Sequence, residues 1–323
     1  MPTLDLAYYD ALRLDRRNLG QRFVGWVLLW PQYDLWPGVE IVLEGAEHIP
    51  TREGGETVVL AMNHTDRYNY WPFQYKLWRD GRYPFTATWV KGKYYRNPWM
   101  ARFFNATQNI PLPSLGYLIE EEYRAAMGRL PTRERYRELR DVVDGKRAAD
   151  DPELSEEARR FTGAKVPDAA GEIVPYAEGI RRRFVALMTR VVRYTAEASE
   201  HLGFHLLVFP EGTRSVRLGT GRTGLMEYAL SAGKRVVPVS CNGSDLVYSR
   251  NYPFVRRGRI VYRVGPAYDP RALLGPDERI GPYTPFTGEA ARYRPIFERL
   301  THDLMRRING GLDARHRSEA YLP

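Results

Sequence analysis

The segment Asn63-His64-Thr65-Asp66-Arg67-Tyr68-Asn69 follows directly on ETVVLAM, an apolar run that reads as a buried strand. In α/β sheets, ligands collect beyond the carboxyl ends of strands. A histidine placed there, with Asp66 and Asn69 within about a turn of it, has side chains at hand to orient its ring. Its unperturbed pKa lies near neutrality, so the imidazole is suited to take a proton from a hydroxyl. The same residues also read as an ordinary helix N-terminus, capped by Thr65 or Asp66, that happens to neighbour a histidine. The second segment is Val208-Phe209-Pro210-Glu211-Gly212-Thr213-Arg214-Ser215, again an apolar strand running into a turn. Gly212 permits close backbone approach. Thr213 and Ser215 offer hydroxyls, and Arg214 offers a forked cation suited to phosphate. Gly219, Gly221 and Gly224 follow, so the loop is free to adapt. The plain alternative is a βα turn with a surface arginine.

These residues need strands to hold them, and the sequence supplies several. VEIVLEG alternates as a strand does, and FTATWV leads to Lys91. HLLVFP, RVVPVS and GRIVYRVG are short β-branched runs closed by Gly, Pro or Ser. Helical patterns separate several of them, among them TDRYNYWPFQYKLWRD and GLMEYALSAGK. The expected fold class is therefore α/β, a mixed and largely parallel sheet flanked by helices. Between these runs lies a charged, Ala- and Glu-rich stretch broken by Pro131, Gly145 and Pro152. It reads as a helical insertion over about 117–200, ending in the long amphipathic pattern IRRRFVALMTRVVRYTAEASEHLG. The expected organisation is an N-terminal amphipathic helical segment over 1–37, an α/β domain over 38–310 and a loose tail over 311–323.

The chain has 323 residues, 48 Lys and Arg against 39 Asp and Glu, and a single cysteine. Its 43% hydrophobic content excludes a fully disordered chain. The lone Cys241 excludes a disulfide-built secreted module and reads as a small packed residue. A net charge of +9 suits an anionic partner such as a membrane, a nucleic acid or a phosphorylated or CoA-linked substrate. No stacking platform or basic recognition helix supports nucleic acid, and the histidines form no metal-ligand spacing. The most apolar early stretch, FVGWVLLWP, is far short of the roughly 20 residues that span a bilayer. Beside Arg13, Arg16, Arg17 and Arg22 it reads either as an interfacial helix on anionic lipid or as a helix whose aromatic face packs on the domain. A cytoplasmic protein, peripheral on the inner membrane face, is expected.

NH at a strand end, FPEGTRS well downstream and VVPVS after it resemble three blocks of the glycerolipid acyltransferases, the family that acylates glycerol 3-phosphate and 1-acylglycerol 3-phosphate. FPEGTRS matches over its full length, and the resemblance extends over roughly residues 38–265. It implies the glycerol-3-phosphate acyltransferase-like fold and an acyltransferase. The donor would be acyl-CoA or acyl-carrier protein, a co-substrate with no other cofactor and no metal. The acceptor would be a phosphorylated glycerolipid such as lysophosphatidic acid. By the resemblance His64 is the general base, Glu211 and Gly212 shape the pocket, Thr213 and Arg214 hold the acceptor phosphate, and Pro238 with its neighbours lines the acyl side. Lys91 fits the start of a further block, but NATQNIPLPSLG lacks the arginine that would supply a second phosphate contact.

The family pattern is His, four intervening residues, then Asp, and this chain has Asn69 at that place. Asn orients an imidazole but brings no negative charge to the imidazolium. Three readings stay open: Asp66 supplies the carboxylate, Asn69 suffices, or the chain is a non-catalytic lipid- or acyl-binding protein on the same fold.

Overall fold

The computed structural model describes residues 4–249 and 252–322; the first residues of the expected N-terminal segment and Pro323 of the expected tail lie outside them. Among the described residues nine strands occur in chain order: β1 (Val39–Glu44), β2 (Val59–Met62), β3 (Thr86–Lys91), β4 (Asn109–Leu112), β5 (Lys165–Pro167), β6 (Ile173–Pro175), β7 (His205–Val208), β8 (Val236–Asn242) and β9 (Gly258–Val264). Seven form one mixed sheet in the order β1-β9-β8-β2-β7-β3-β4. β2 lies in the middle, parallel to β7 on one side and to β8 on the other. β1 is parallel to β9, and β8 and β9 are antiparallel. β2, β7 and β8 are buried along their whole length. That explains their unbroken apolar runs, since a parallel strand covered on both faces has no solvent side to alternate toward.

The sheet fulfils the α/β expectation and adds two things. β4 arises from Asn-Ile-Pro-Leu, in a stretch too short and polar to read as a strand. The insertion is not purely helical, because β5 and β6 form an antiparallel hairpin within it. Gly179 leaves room there for Val166, whose Cγ2 would lie 2.5 Å from a Cβ at that position.

The chain divides into two compact units. The α/β unit comprises 14–89, 104–110 and 192–323. The second, mostly helical unit comprises 1–13, 90–103 and 111–191. In the helical unit, the helix Leu6–Ala11 is tied down by Tyr9 Oη donating to the Pro111 carbonyl (2.6 Å) and by the Leu4 amide donating to Tyr117 Oη (3.1 Å). Arg96 pairs with Glu120 and Glu121, and Arg183 pairs with Glu122. The rings of Tyr123, Phe161 and Tyr176 pack in series.

The expected segment 1–37 is thus split, and its second half belongs to the α/β unit. There the helix Leu19–Val24 continues through two π-helical stretches to Leu35. Its packed face combines the glycines and Gln21 with Leu29 and Tyr33, which are buried. A Cβ on Gly20 would lie 1.9 Å from the Ala106 carbonyl oxygen, and one on Gly25 would lie 2.8 Å from the Trp78 ring. Gln21 donates to the carbonyls of Thr86 and Thr107. Leu19, Phe23, Trp26 and Val27 consequently point outward, 50–65% exposed. The helix packs on its unit through Gly20, Gly25, Leu29 and Tyr33 with Arg16, Arg17 and Arg22 exposed, while Leu19, Phe23 and Val27 on its other side face solvent.

Candidate active site

Because β2 and β7 are parallel neighbours with Ala61 level with Val208, both strands end at the same edge of the sheet. The two loops that leave there, one carrying His64 and the other FPEGTRS, are brought together by that register. Both backbone groups of His64 bond to the second loop. Its amide donates to Glu211 Oε1 (2.6 Å), and its carbonyl accepts from the Ser215 amide (2.9 Å). The imidazole lies flat on Phe209, with ring centroids 4.1 Å apart and planes 20° apart.

Asn69 sets the chemistry of that ring. It is fully buried, and its Oδ1 lies 2.9 Å from His64 Nδ1. Its Nδ2 donates to the Asn63 carbonyl at 2.8 Å. A carbonyl oxygen accepts and never donates, so the amide nitrogen must face Asn63 and the amide oxygen must face the imidazole. An oxygen there requires a proton on Nδ1, which leaves Nε2 with its lone pair. The tautomer is the one a general base needs. Two further contacts hold this arrangement. Tyr262 Oη donates to the Asn69 carbonyl at 2.5 Å. Asn63 exchanges two hydrogen bonds with the backbone of Cys241, donating at 3.0 Å and accepting at 2.7 Å, and so pins the end of β2 to β8.

Asp66 has a different task from orienting Nδ1 of the imidazole, which Asn69 holds. Its carboxylate accepts from Thr65 Oγ1 (2.9 Å) and from the Tyr68 amide (2.8 Å), closing a turn within its own loop. Burial raises its pKa from the ordinary aspartate value against those hydrogen bonds. The reading that gave Asp66 the orienting role at Nδ1 is corrected, because Asn69 holds that nitrogen.

Glu211 is 2% exposed and points inward. Besides the His64 amide it accepts from the Gly219 amide at 2.6 Å. Burial pushes its pKa up to about 7, while the two N–H donors pull it down. Its role in the geometry is to join the two loops. Gly212 turns the chain at φ +64°, a left-handed conformation that favours glycine. Thr213, Arg214 and Ser215 are exposed beyond it. Lys91, exposed at the end of β3, is counted with the helical unit. Pro238 sits inside β8, level with Ala61 and buried, with its Cγ against Gly265. That is the interior of the sheet. Cys241 is buried, and burial pushes its thiol pKa up, as befits a packed residue.

Two features of this site escape a reading of the sequence. The segment expected to be loose braces the motif loop. His316 is 1% exposed, its Nδ1 faces the Val216 carbonyl (2.7 Å), and its own carbonyl accepts from the Leu218 amide (2.8 Å). Tyr321 Oη accepts from the Gly221 amide at 3.2 Å. ARHRSEAYLP looks like a polar end, and only the packed partners reveal the two anchors. The second feature is Arg222, whose amide donates to the Pro210 carbonyl (2.7 Å) and whose stem lies over Gly212.

Among the described residues, no group of three or more His, Cys, Asp or Glu side chains is gathered as a metal centre requires. No helix there is long and apolar enough to cross a membrane. No family model matches the chain, and no curated protein matches it. Among solved structures it is similar to the 1-acyl-sn-glycerophosphate (LPA) acyltransferase PlsC from Thermotoga maritima, at 15% identity and a TM-score of 0.40, over 93% of this chain and 86% of that one. A likeness at that level says nothing of chemistry, which has to come from the side chains.

Proposed function

We propose that this protein is an acyltransferase that moves a fatty acyl group from acyl-CoA or acyl-carrier protein to a hydroxyl of a phosphorylated glycerolipid such as lysophosphatidic acid. One observation carries the reading: the amide of Asn69, held by the Asn63 carbonyl, leaves Nε2 of His64 as the unprotonated nitrogen beside the FPEGTRS loop. In the reaction Nε2 takes the proton of the acceptor hydroxyl as its oxygen attacks the thioester carbonyl. The C–S bond breaks, and the proton passes from the imidazolium to the departing thiolate. No covalent enzyme intermediate is required. Arg214, exposed on the second loop, is the cation for the acceptor phosphate.

Approach to a lipid acceptor is served by the outward stripe Leu19, Phe23, Trp26 and Val27, continued at Leu35 and by Trp36, which is 83% exposed. Arg79 lies over the Trp26 ring. Aromatic and aliphatic groups beside cations suit a peripheral position on an anionic membrane.

The neutral Asn69 favours a second reading, a lipid- or acyl-binding protein without turnover, because no carboxylate there stabilises an imidazolium. Transfer of radiolabelled acyl groups from acyl-CoA to lysophosphatidic acid decides between them. The acyltransferase reading requires turnover by the wild type that His64→Ala reduces by at least about a hundredfold. An inert wild type, with or without a gain in Asn69→Asp, overturns it.

A further inference from the structure

Many arginines of the α/β unit are neutralised on the surface: Arg235 by Glu56, Arg263 by Glu44 and Asp313, Arg299 by Glu278, and Arg315 by Asp245. The loop after the FPEGTR motif departs from that habit. Arg214, Arg217 and Arg222 lie at the surface, and among the described residues none of their guanidinium groups has a hydrogen bond or an ion pair. Arg222 is placed unlike Arg217. Its amide returns to the Pro210 carbonyl, and its Cγ would be 3.7 Å from a Cβ at Gly212. The chain has looped round so that the Arg222 stem crosses the glycine of the motif, next to Thr213 and Arg214. The one carboxylate in the motif, Glu211, is turned inward, its two oxygens taken by the His64 and Gly219 amides. It does not neutralise the cations beside it.

Resting on the acyltransferase reading, we propose that Arg222 is a second phosphate-binding residue of this site, gripping with Arg214 the dianionic phosphomonoester of the acceptor. Two guanidinium groups match a phosphate dianion in charge, and each offers the planar fork that binds two oxygens at once. Arg222 thereby does the work of the arginine missing from NATQNIPLPSLG, from a position downstream in the same loop as the motif.

The test separates phosphate binding from acyl transfer. sn-Glycerol 3-phosphate and inorganic phosphate are titrated calorimetrically into the full-length wild type, Arg222→Gln, Arg222→Lys and Arg217→Gln, with glycerol as the uncharged control. Loss of a charge-assisted hydrogen bond weakens binding by about ten- to a hundredfold. Arg222→Gln is therefore expected to weaken glycerol 3-phosphate by at least about tenfold. Arg222→Lys, which keeps the stem and the charge but not the fork, should fall between it and the wild type, and Arg217→Gln should stay close to the wild type. Circular dichroism checks the fold of each variant; if Arg222→Gln is unfolded, the lysine variant decides. A wild type that binds neither phosphate overturns the proposal, as does an Arg222 variant that binds as Arg217→Gln does. Because no acyl donor is present, phosphate binding that depends on Arg222 in a protein that transfers no acyl group would sink the transferase reading and leave this site standing.

Discussion

Asn69→Asp is the substitution that most directly probes the site, and the structure gives it an unexpected sign. By analogy with catalytic His–Asp pairs, a carboxylate at 69 should improve the base. The serine-protease Asp→Asn change is harmful because the amide imposes the wrong tautomer. Here the amide nitrogen is already committed to the Asn63 carbonyl at 2.8 Å, so the tautomer is right without a carboxylate. Aspartate would set an oxygen against that carbonyl oxygen at a fully buried position. Losing the donor leaves a buried acceptor unsatisfied, at a cost of about 1–3 kcal/mol, and the buried negative charge adds to it. Attraction to a protonated His64 offsets part of that cost. The pair would raise the folded-state pKa of His64 above its unfolded value of about 6.5. Its contribution is then fully present below the unfolded pKa and is lost as pH rises through the folded one. Protonation of the introduced, buried carboxylate would act in the same direction. Urea unfolding followed by tryptophan fluorescence should therefore find the variant less stable than the wild type by about 1–3 kcal/mol at pH 8.5, with a smaller deficit at pH 6. A variant as stable as the wild type at pH 8.5 would refute the amide orientation, and with it the assignment of the lone pair to Nε2.

Two further outcomes rest on other parts of the structure. With its folded pKa raised to about 7, Glu211 binds more protons folded than unfolded between the ordinary glutamate value and 7, so its ionisation lowers stability as pH rises through that window. Glu211→Gln should flatten that part of the stability profile measured by urea unfolding. It should also lower stability below the window, because an amide accepts through one oxygen and sets its NH2 against the other backbone donor; an unchanged slope removes Glu211 from this role. The double change Phe23→Ser and Val27→Ser takes about 1.5–3 kcal/mol of apolar transfer per side chain from an exposed stripe. It should cut sedimentation with anionic liposomes at least about tenfold while leaving the thermal midpoint nearly unchanged, and an unaltered bound fraction would show that the stripe does not meet the membrane.

Much of the architecture was legible from local pattern. The unbroken apolar runs of β2, β7 and β8 announced strands buried on both faces, and His64 and FPEGTRS stood at strand ends because parallel sheets place their ligand-facing loops there. β4 was not legible, since Asn-Ile-Pro-Leu carries no period of its own and becomes a strand only within the sheet. The N-terminal helix was legible as a helix, but not the side on which it packs. A helix can approach its domain through Gly20 and Gly25, and composition alone does not say which side has the closer backbone.

What the sequence determined by itself was most of the main sheet's strands, the residue types at their ends and the absence of an aspartate at position 69. Tertiary structure decided which of those residues act on one another. Asp66 and Asn69 are both close to His64 in the chain, yet it is Asn69 that holds Nδ1 of its ring, because the choice depends on the Asn63 carbonyl and on Tyr262 from β9. Glu211 turns inward because the register of β2 against β7 brings the His64 amide within its reach. Arg222 folds back over Gly212 within the motif loop, and His316 and Tyr321 reach the loop from farther along the chain. Hydrogen bonds are directional and short, so which groups meet is settled by how distant strands pack, and no local pattern encodes that.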